Sequence, residues 1–333
     1  MENLENRKKD HIELAFKSQT SLPEMDSRFH YEPMFNAHPS GGLGPFPILG
    51  KVQRVPIWVS SMTGGARLAG TINRNLAMAC KEFGMGMGLG SCRIILDDDT
   101  YFEDFNLRRI IGDDLPFWAN LGIAQIEELV SRNQIGKATS LVEKLQADGL
   151  IIHVNPMQEW FQPEGDILNE PPLETIRNFL DRFPMPVIVK EVGQGMGPES
   201  LRALLRLPLQ AIEFAAFGGT NFARMELLRD ERASQAIFEP LSLVGEDAGS
   251  MVDHVNRIVS QEKPECSELI ISGGIRNFLD GYYMIKKSSL PAVYGMASAF
   301  LRHAREDYEQ LRNFVHAQVR GLEIAFAYLS IRE

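Results

Sequence analysis

The chain has 333 residues, and 34 Lys+Arg against 44 Asp+Glu give a formal charge of −10. This balance argues against general nucleic-acid affinity, which needs a clustered positive field. With 44% hydrophobic and 23% charged residues, the composition excludes a disordered or collagen-like chain.

The N-terminal MENLENRKKDHIELAFKSQT holds no apolar core of signal-peptide length. No segment approaches the ~20 apolar residues of a membrane span, so a membrane partner is not expected. Cys80, Cys92 and Cys266 are widely spaced and form no CxxC pair. That pattern argues against a disulfide framework or a thiolate metal site and predicts a reducing, cytoplasmic setting.

Residues 1–54 precede the first predicted strand and include the turn-rich HPSGGLGPFP. Apolar runs then recur: VPIWVSSM (55–62), MGMGLGS (85–91), PFWANLG (116–122) and GLIIHVN (149–155). PVIVKEV (186–192), QAIEFAA (210–216), ELIISGG (268–274) and PAVYGMA (291–297) follow. Continuous apolar runs suit strands buried on both faces, as in a parallel sheet. Helical periodicity fills the intervals at 68–84, 123–146, 172–183 and 197–207. Alternating strands and helices, with eight runs in all, predict a (β/α)8 barrel over an open doubly wound sheet. About fifty residues separate the sixth and seventh runs, more than one crossover helix needs. Residues 299–333 read as a helix or two. The expected organisation is therefore one domain: an N-terminal extension (1–54), a barrel (55–298) with an insertion after strand six, and C-terminal helices (299–333).

A barrel carries its site at the C-terminal ends of its strands. Those ends read SSMTGG, GLGSCR, ANLG, HVNPMQE, KEVGQG, FGGTNF, SGGIR and YGMAS, nearly all with hydroxyls, amides, charges or glycines. SGGIR and YGMAS are glycine-containing turns entering helices, which suits a phosphate held by backbone N–H groups, with Arg276 as a further contact. Lys190 closes a buried strand. Its ammonium would meet anions or an electron-rich ring, act as a Schiff-base amine, or pair with Glu191. Met62, Thr63, Ser91, Asn120 and Thr220 supply neutral donors and acceptors. His153 and Glu159 are six apart, which is not HExxH spacing. Glu159 instead suits magnesium held by one carboxylate and substrate oxygens, with Gln158 beside it. His153 is equally a hydrogen-bonded core histidine. Arg7, Lys8, Lys9 and His11 form the densest basic group, which by itself reads as a solvated helix face. Asp97, Asp98 and Asp99 read as a cap and solvated first turn of the next helix, not a metal site.

Taken together, SSMTGG, GSxR, ANLG, HxNxxQE, KEVGxG, GGTNFAxxE and SGGIR, preceded by RKxxH, resemble the type 2 isopentenyl-diphosphate isomerases. The resemblance runs from Arg7 to Ser298. It implies a flavin-dependent barrel that interconverts isopentenyl and dimethylallyl diphosphate and needs FMN, Mg²⁺ and a reductant, commonly NADPH. It implies FMN on Ser61, Met62, Thr63, Ser91, Asn120, Lys190 and Thr220, with its phosphate on Gly274, Ile275, Arg276, Ala297 and Ser298. It places the substrate on Arg7, Lys8, Ser91, Arg93, His153, Asn155 and Gln158, and the metal on Glu159. Gln158 and Lys190 are the expected catalytic residues, and a homotetramer or homo-octamer is the expected assembly. On this reading Arg7, Lys8, Arg93, Lys190 and Arg276 converge on one barrel mouth.

The chain departs from the family pattern at Cys92, where a glutamine is expected, and at Glu213, Ala216 and Phe217 before GGT. Two rival readings are an FMN-dependent 2-hydroxy-acid oxidase or dehydrogenase and a non-catalytic flavin-binding barrel. The first calls for a His-plus-Arg pair near the seventh strand, yet no histidine lies between His254 and His303. Retention of Gln158, Glu159 and the Arg-Lys pair argues against the second.

Overall fold

The structure is a computed structural model that describes residues 2–61, 68–229 and 234–332, without the side chains of 2–5 and 234–236. Each of the eight apolar runs contains a parallel strand: β1 (Ile57–Val59), β2 (Gly86–Gly88), β3 (Phe117–Gly122), β4 (Leu150–His153), β5 (Val187–Lys190), β6 (Ala211–Glu213), β7 (Leu269–Ser272) and β8 (Ala292–Met296). They close into a barrel in chain order, with β8 returning to β1.

The alternation within each run explains its continuous apolarity. Trp58, Trp118, Ile151, Ile188, Ala211, Ile270 and Val293 form one buried cluster. Their strand neighbours Val59, Phe117, Leu150, Ile152, Val187, Val189 and Leu269 belong to a second, larger cluster shared with the helices. A strand that serves two cores has no polar face to show.

The inner cluster also takes in Ile48 and Leu49 from the N-terminal extension. They sit at the turn of a hairpin, Phe46–Ile48 paired with Lys51–Gln53. Leu49 and Gly50 both have positive φ, 54° and 73°, as a two-residue hairpin turn demands. The uncommon conformation at Leu49 places its side chain at 3% exposure against the inner core. The turn is pinned by Glu268, whose carboxylate accepts the Leu49 N–H at 3.0 Å.

Three segments differ from expectation. The continuous helical pattern of 123–146 is two helices, Ile123–Ser131 and Gly136–Leu145, broken where Asn133 takes φ 54°. The C-terminal region is helical over Ser298–Ala304 and Tyr308–Tyr328, but it ends in a strand, Leu329–Ile331, paired antiparallel with Phe29–Tyr31. The Asp97–Asp99 run opens no α-helix. Asp98 accepts from the Thr100 N–H and hydroxyl, while Asp97 and Asp99 pair with Lys137 and Lys144. The insertion after β6 contributes helices Phe222–Arg229, Ser234–Ser242 and Ala248–Gln261. Among the described residues, no helix is long and apolar enough to cross a membrane.

Packing of the last barrel unit gives a stability test. Gly281, in the helix Phe278–Lys287, lies against Tyr294 of β8, and a Cβ there would stand 2.4 Å from the ring. Alanine gains about 1 kcal/mol of helix propensity over glycine, but forcing an added carbon into a packed core costs about 1–3 kcal/mol. Tyr294 is wholly buried, so moving its ring would disturb packed neighbours. Gly281→Ala should therefore lower the urea midpoint despite its better helix propensity; an unchanged midpoint would show that the ring yields.

Candidate active site

A cleft opens at the C-terminal ends of β1, β5, β6, β7 and β8. Its lining contains seven of the predicted residues: Ser61, Lys190, Thr220, Gly274, Ile275, Ala297 and Ser298. Ser60, Glu213 and Ser272 also line it. Met62 and Thr63 lie outside the described residues.

Strand register sets the floor of the cleft. His153 of β4 is level with Lys190 of β5, and Lys190 is level with Glu213 of β6. Lys190 is 6% exposed, and its Nζ donates to the Glu191 carbonyl at 2.7 Å. The Glu191 carboxylate turns elsewhere, accepting the N–H groups of Gly193, Gln194 and Gly195. Burial raises the pKa of Glu191, and those amides partly oppose the shift. An ion pair between Lys190 and Glu191 is therefore absent, which removes one of the sequence readings.

Glu213 is fully buried; its Oε1 accepts from the Ser272 hydroxyl at 3.2 Å, and its Oε2 finds no partner. Ser60 Oγ and Ser61 Oγ are likewise buried without partners among the described residues. Unmatched buried polar atoms are costly, and three of them around one cleft suit a polar ligand. Across the cleft, Gly273 with φ 90° brings its turn so close to the segment after β6 that a Cβ would lie 2.1 Å from the Ala216 carbonyl oxygen. The N–H groups of Gly274, Ile275, Ala297 and Ser298 donate to no partner among the described residues. These features fit a flavin phosphate at one end of the cleft and a polar ring toward Lys190 and Glu213.

Arg276 corrects the expected convergence of cations. Its side chain is 78% exposed and absent from the cleft lining. Its backbone N–H and Nε both donate to Asp280 Oδ2, at 3.1 and 3.0 Å, and Arg28 takes Asp280 Oδ1 at 2.8 Å. Asn277 meanwhile caps the N–H groups of Leu279 and Asp280. The amides left for a phosphate are thus those of the turn itself.

Arg7 and Lys8 are not brought to the mouth either. They lie on the helix Glu2–Leu14, where residues 6–20 are all exposed. The helix is polar, with Ile12 at 72% exposure, so this fold gives it no apolar stripe to dock.

Asn120 is 2% exposed; its Nδ2 donates to the Leu89 carbonyl, and its Oδ1 lies 2.8 Å from His153 Nδ1. It orients His153 more directly than it faces the cleft. Burial and the nearby Lys190 charge push His153 down to about 3, so its ring is neutral at physiological pH. Ser91 Oγ accepts the Arg93 N–H at 3.4 Å. Cys92 points the other way into the core, with its thiol pushed up to about 12 by burial, so this departure lies outside the cleft. Phe217 also lies off the cleft, while Glu213 and Ala216 line it.

Asn155 stands at the N-terminus of the helix Pro156–Phe161. Its Nδ2 donates to Gln158 Oε1 at 3.2 Å and Glu159 Oε1 at 2.8 Å, leaving its buried Oδ1 without a partner. Gln158 Nε2 donates to Glu226 at 3.2 Å. Among the described residues, no group of three acidic, His or Cys side chains is placed to hold a metal. A lone carboxylate such as Glu159 suits a hard cation that takes its remaining ligands from substrate and water.

Sequence reasoning passed over Ser60, Glu213 and Glu226 as site residues. Glu213 carried a signal, an acid inside an apolar run, and Glu226 closes the GGTNFAxxE pattern. Near β7 and β8, His254 lies 3.7 Å from Glu246 and His303 stacks on Phe314. Neither lines the cleft, so the His-plus-Arg pair of a 2-hydroxy-acid oxidase is not assembled there.

Comparison with solved structures supports the fold. The chain superposes on a mandelate oxidase variant bearing a monooxide FMN adduct, with TM-score 0.55, 14% identity and coverage of 92% of this chain and 88% of that one. The flavin-binding domain of baker's yeast flavocytochrome b2 gives TM-score 0.60 at 12% identity, covering 90% and 72%. No protein-family model matches the chain. Among curated proteins, isopentenyl-diphosphate delta-isomerase from Deinococcus radiodurans is 32% identical over 341 aligned positions, spanning 99% of this chain and 96% of its own. The Cronobacter sakazakii protein of that name is 34% identical over 326 positions, covering 93% and 91%. The protein of that name from Mycolicibacterium gilvum is 32% identical over 282, covering 83% and 79%. At this identity and coverage, the chain belongs to the isopentenyl-diphosphate delta-isomerase family.

Proposed function

We propose that this chain interconverts isopentenyl and dimethylallyl diphosphate with FMN and Mg²⁺. The observation that carries the reading is the cleft of unmatched polar atoms around Lys190, beside a second polar group at Gln158 and Glu159. Moving a double bond by one carbon adds a proton at one carbon and removes one from another. Reduced FMN, when bound, supplies the proton donor and acceptor that no side chain here offers to an unactivated alkene.

The protein's part is position and electrostatics. Ser60, Ser61, Lys190, Glu213 and Thr220 hold the ring and ribityl chain, while the turns at Gly274–Ile275 and Ala297–Ser298 take the phosphate. Lys190 balances negative charge on the reduced ring. Arg93 and Gln158 contact the substrate, with His153 a neutral hydrogen-bonding wall oriented by Asn120. Glu159 holds the cation that neutralises the diphosphate, with Asn155 beside it facing the substrate. NADPH as reductant, a cytoplasmic setting and a homotetramer or homo-octamer complete the reading. Exposed Tyr31, Met34 and Phe35 on the N-terminal extension support assembly, which is also the setting in which Arg7 and Lys8 would reach a diphosphate.

The test is direct. Purified protein should show a flavin visible band and isomerise isopentenyl diphosphate only after dithionite reduction with Mg²⁺ present. Protein that binds no flavin, or is inactive when reduced, would overturn the proposal.

A further inference from the structure

The segment after the helix Pro156–Phe161 folds back on that helix. Gly165 permits the return, because a Cβ there would stand 1.9 Å from the Glu159 carbonyl oxygen. The turn closes with the Gly165 N–H on the Gln162 carbonyl at 3.0 Å. It delivers the Asp166 N–H to Glu159 Oε2 at 2.9 Å. The Asp166 carboxylate faces the other way, where Oδ2 accepts from Arg93 Nη1 at 2.8 Å and Gln125 Nε2 at 3.1 Å.

One residue thus touches groups from three barrel units. Arg93 follows β2, Gln125 follows β3 and Glu159 follows β4. Gln125 is 6% exposed, so the carboxylate is anchored from inside and not merely attracted at the surface.

We propose that Asp166 is a positioning residue that braces Arg93 beside Glu159, so that one polyanionic head group meets both. The proposal rests on the isomerase reading for the identity of that head group. Its physics is preorganisation. The Arg93 side chain is 58% exposed and Asp166 36%, so an ion pair between them contributes little to folding. It does remove rotamer freedom that a ligand would otherwise have to remove on binding. A guanidinium carries five N–H donors, and only Nη1 is engaged among the described residues. Nε and Nη2 remain for phosphate oxygens while the brace stays in place.

The test is a double-substitution cycle on the full-length FMN-loaded protein. Binding of inorganic pyrophosphate with Mg²⁺ would be measured by calorimetry, alongside KM and kcat for isopentenyl diphosphate. Asp166→Ala should weaken pyrophosphate binding and raise KM about tenfold, with kcat within about twofold and FMN retained. Combined with Arg93→Ala, it should add nothing to the effect of Arg93→Ala alone. Gln125→Leu, which leaves the turn itself intact, should shift binding in the same direction by a smaller factor. If the Asp166 and Arg93 effects multiply, or if both brace variants bind as wild type does, the brace is overturned while the isomerase reading stands. Wild-type protein that neither binds pyrophosphate nor turns over substrate overturns both.

Discussion

Replacing Lys190 with methionine is expected to lower kcat/KM by on the order of 10²–10³, the usual cost of removing one preorganised electrostatic group. Methionine keeps the length and apolar stem of the side chain, so the loss isolates the charge. The fold should tolerate the change. Among the described residues Lys190 Nζ bonds only the Glu191 carbonyl, and Glu191 itself is fixed by the amides of Gly193, Gln194 and Gly195. An unaltered thermal midpoint with collapsed activity would separate chemistry from stability. A second readout follows from electrostatics. An ammonium at the cleft floor favours the reduced, anionic ring over the oxidised one, so its removal should make bound FMN harder to reduce. The measurement is a redox titration of wild type and Lys190→Met in parallel. Unchanged potential together with activity within a few-fold of wild type would remove Lys190 from the mechanism.

That residue was legible in the sequence for a physical reason. A lysine ending PVIVK has no solvent on either side of its strand, so its ammonium has to emerge at the strand tip. The barrel was legible on the same ground, since both faces of each strand are buried. The Gly/Met-rich run 85–91 still forms β2, although glycine gives little strand propensity, because its pairing with β1 and β3 is tertiary. What sequence could not supply were contacts between distant segments. The hairpin at 46–53 bears no Asn-Gly signal; its Leu49-Gly50 turn is favoured by insertion into the barrel. The closing strand Leu329–Ile331 is three residues long, too short to show a period of two. Arg276 carried a local signal of its own. Asp280 stands four residues downstream, at the helical spacing for an ion pair, and that local partner withdraws Arg276 from the cleft. Asp166 was invisible for the opposite reason, because its partners Arg93, Gln125 and Glu159 come together only when the barrel closes.

Glu159→Gln should remove most of the activity and, more tellingly, shift its half-saturating Mg²⁺ to higher concentration. Glutamine preserves volume but replaces one carboxylate oxygen by an NH2 group. Both Glu159 oxygens now accept, one from Asn155 Nδ2 and the other from the Asp166 N–H. A glutamine can satisfy one of these and must present a donor to the other, a mismatch costing about 1–3 kcal/mol. It also removes the negative charge that a hard cation requires, while the nearby acids Asp166 and Glu226 are already paired with Arg93 and Arg229. The two effects are separable. Misplaced hydrogen bonding alone would lower activity at every Mg²⁺ concentration by the same factor and leave the half-saturating concentration unchanged. Loss of a metal ligand instead moves half-saturation to higher Mg²⁺, with activity partly regained at excess metal. FMN should remain bound in either case, because Glu159 does not line the cleft around Lys190. A Mg²⁺ titration of Glu159→Gln that superimposes on wild type after scaling would therefore assign Glu159 to the hydrogen-bond scaffold and leave the cation to the substrate and other oxygens.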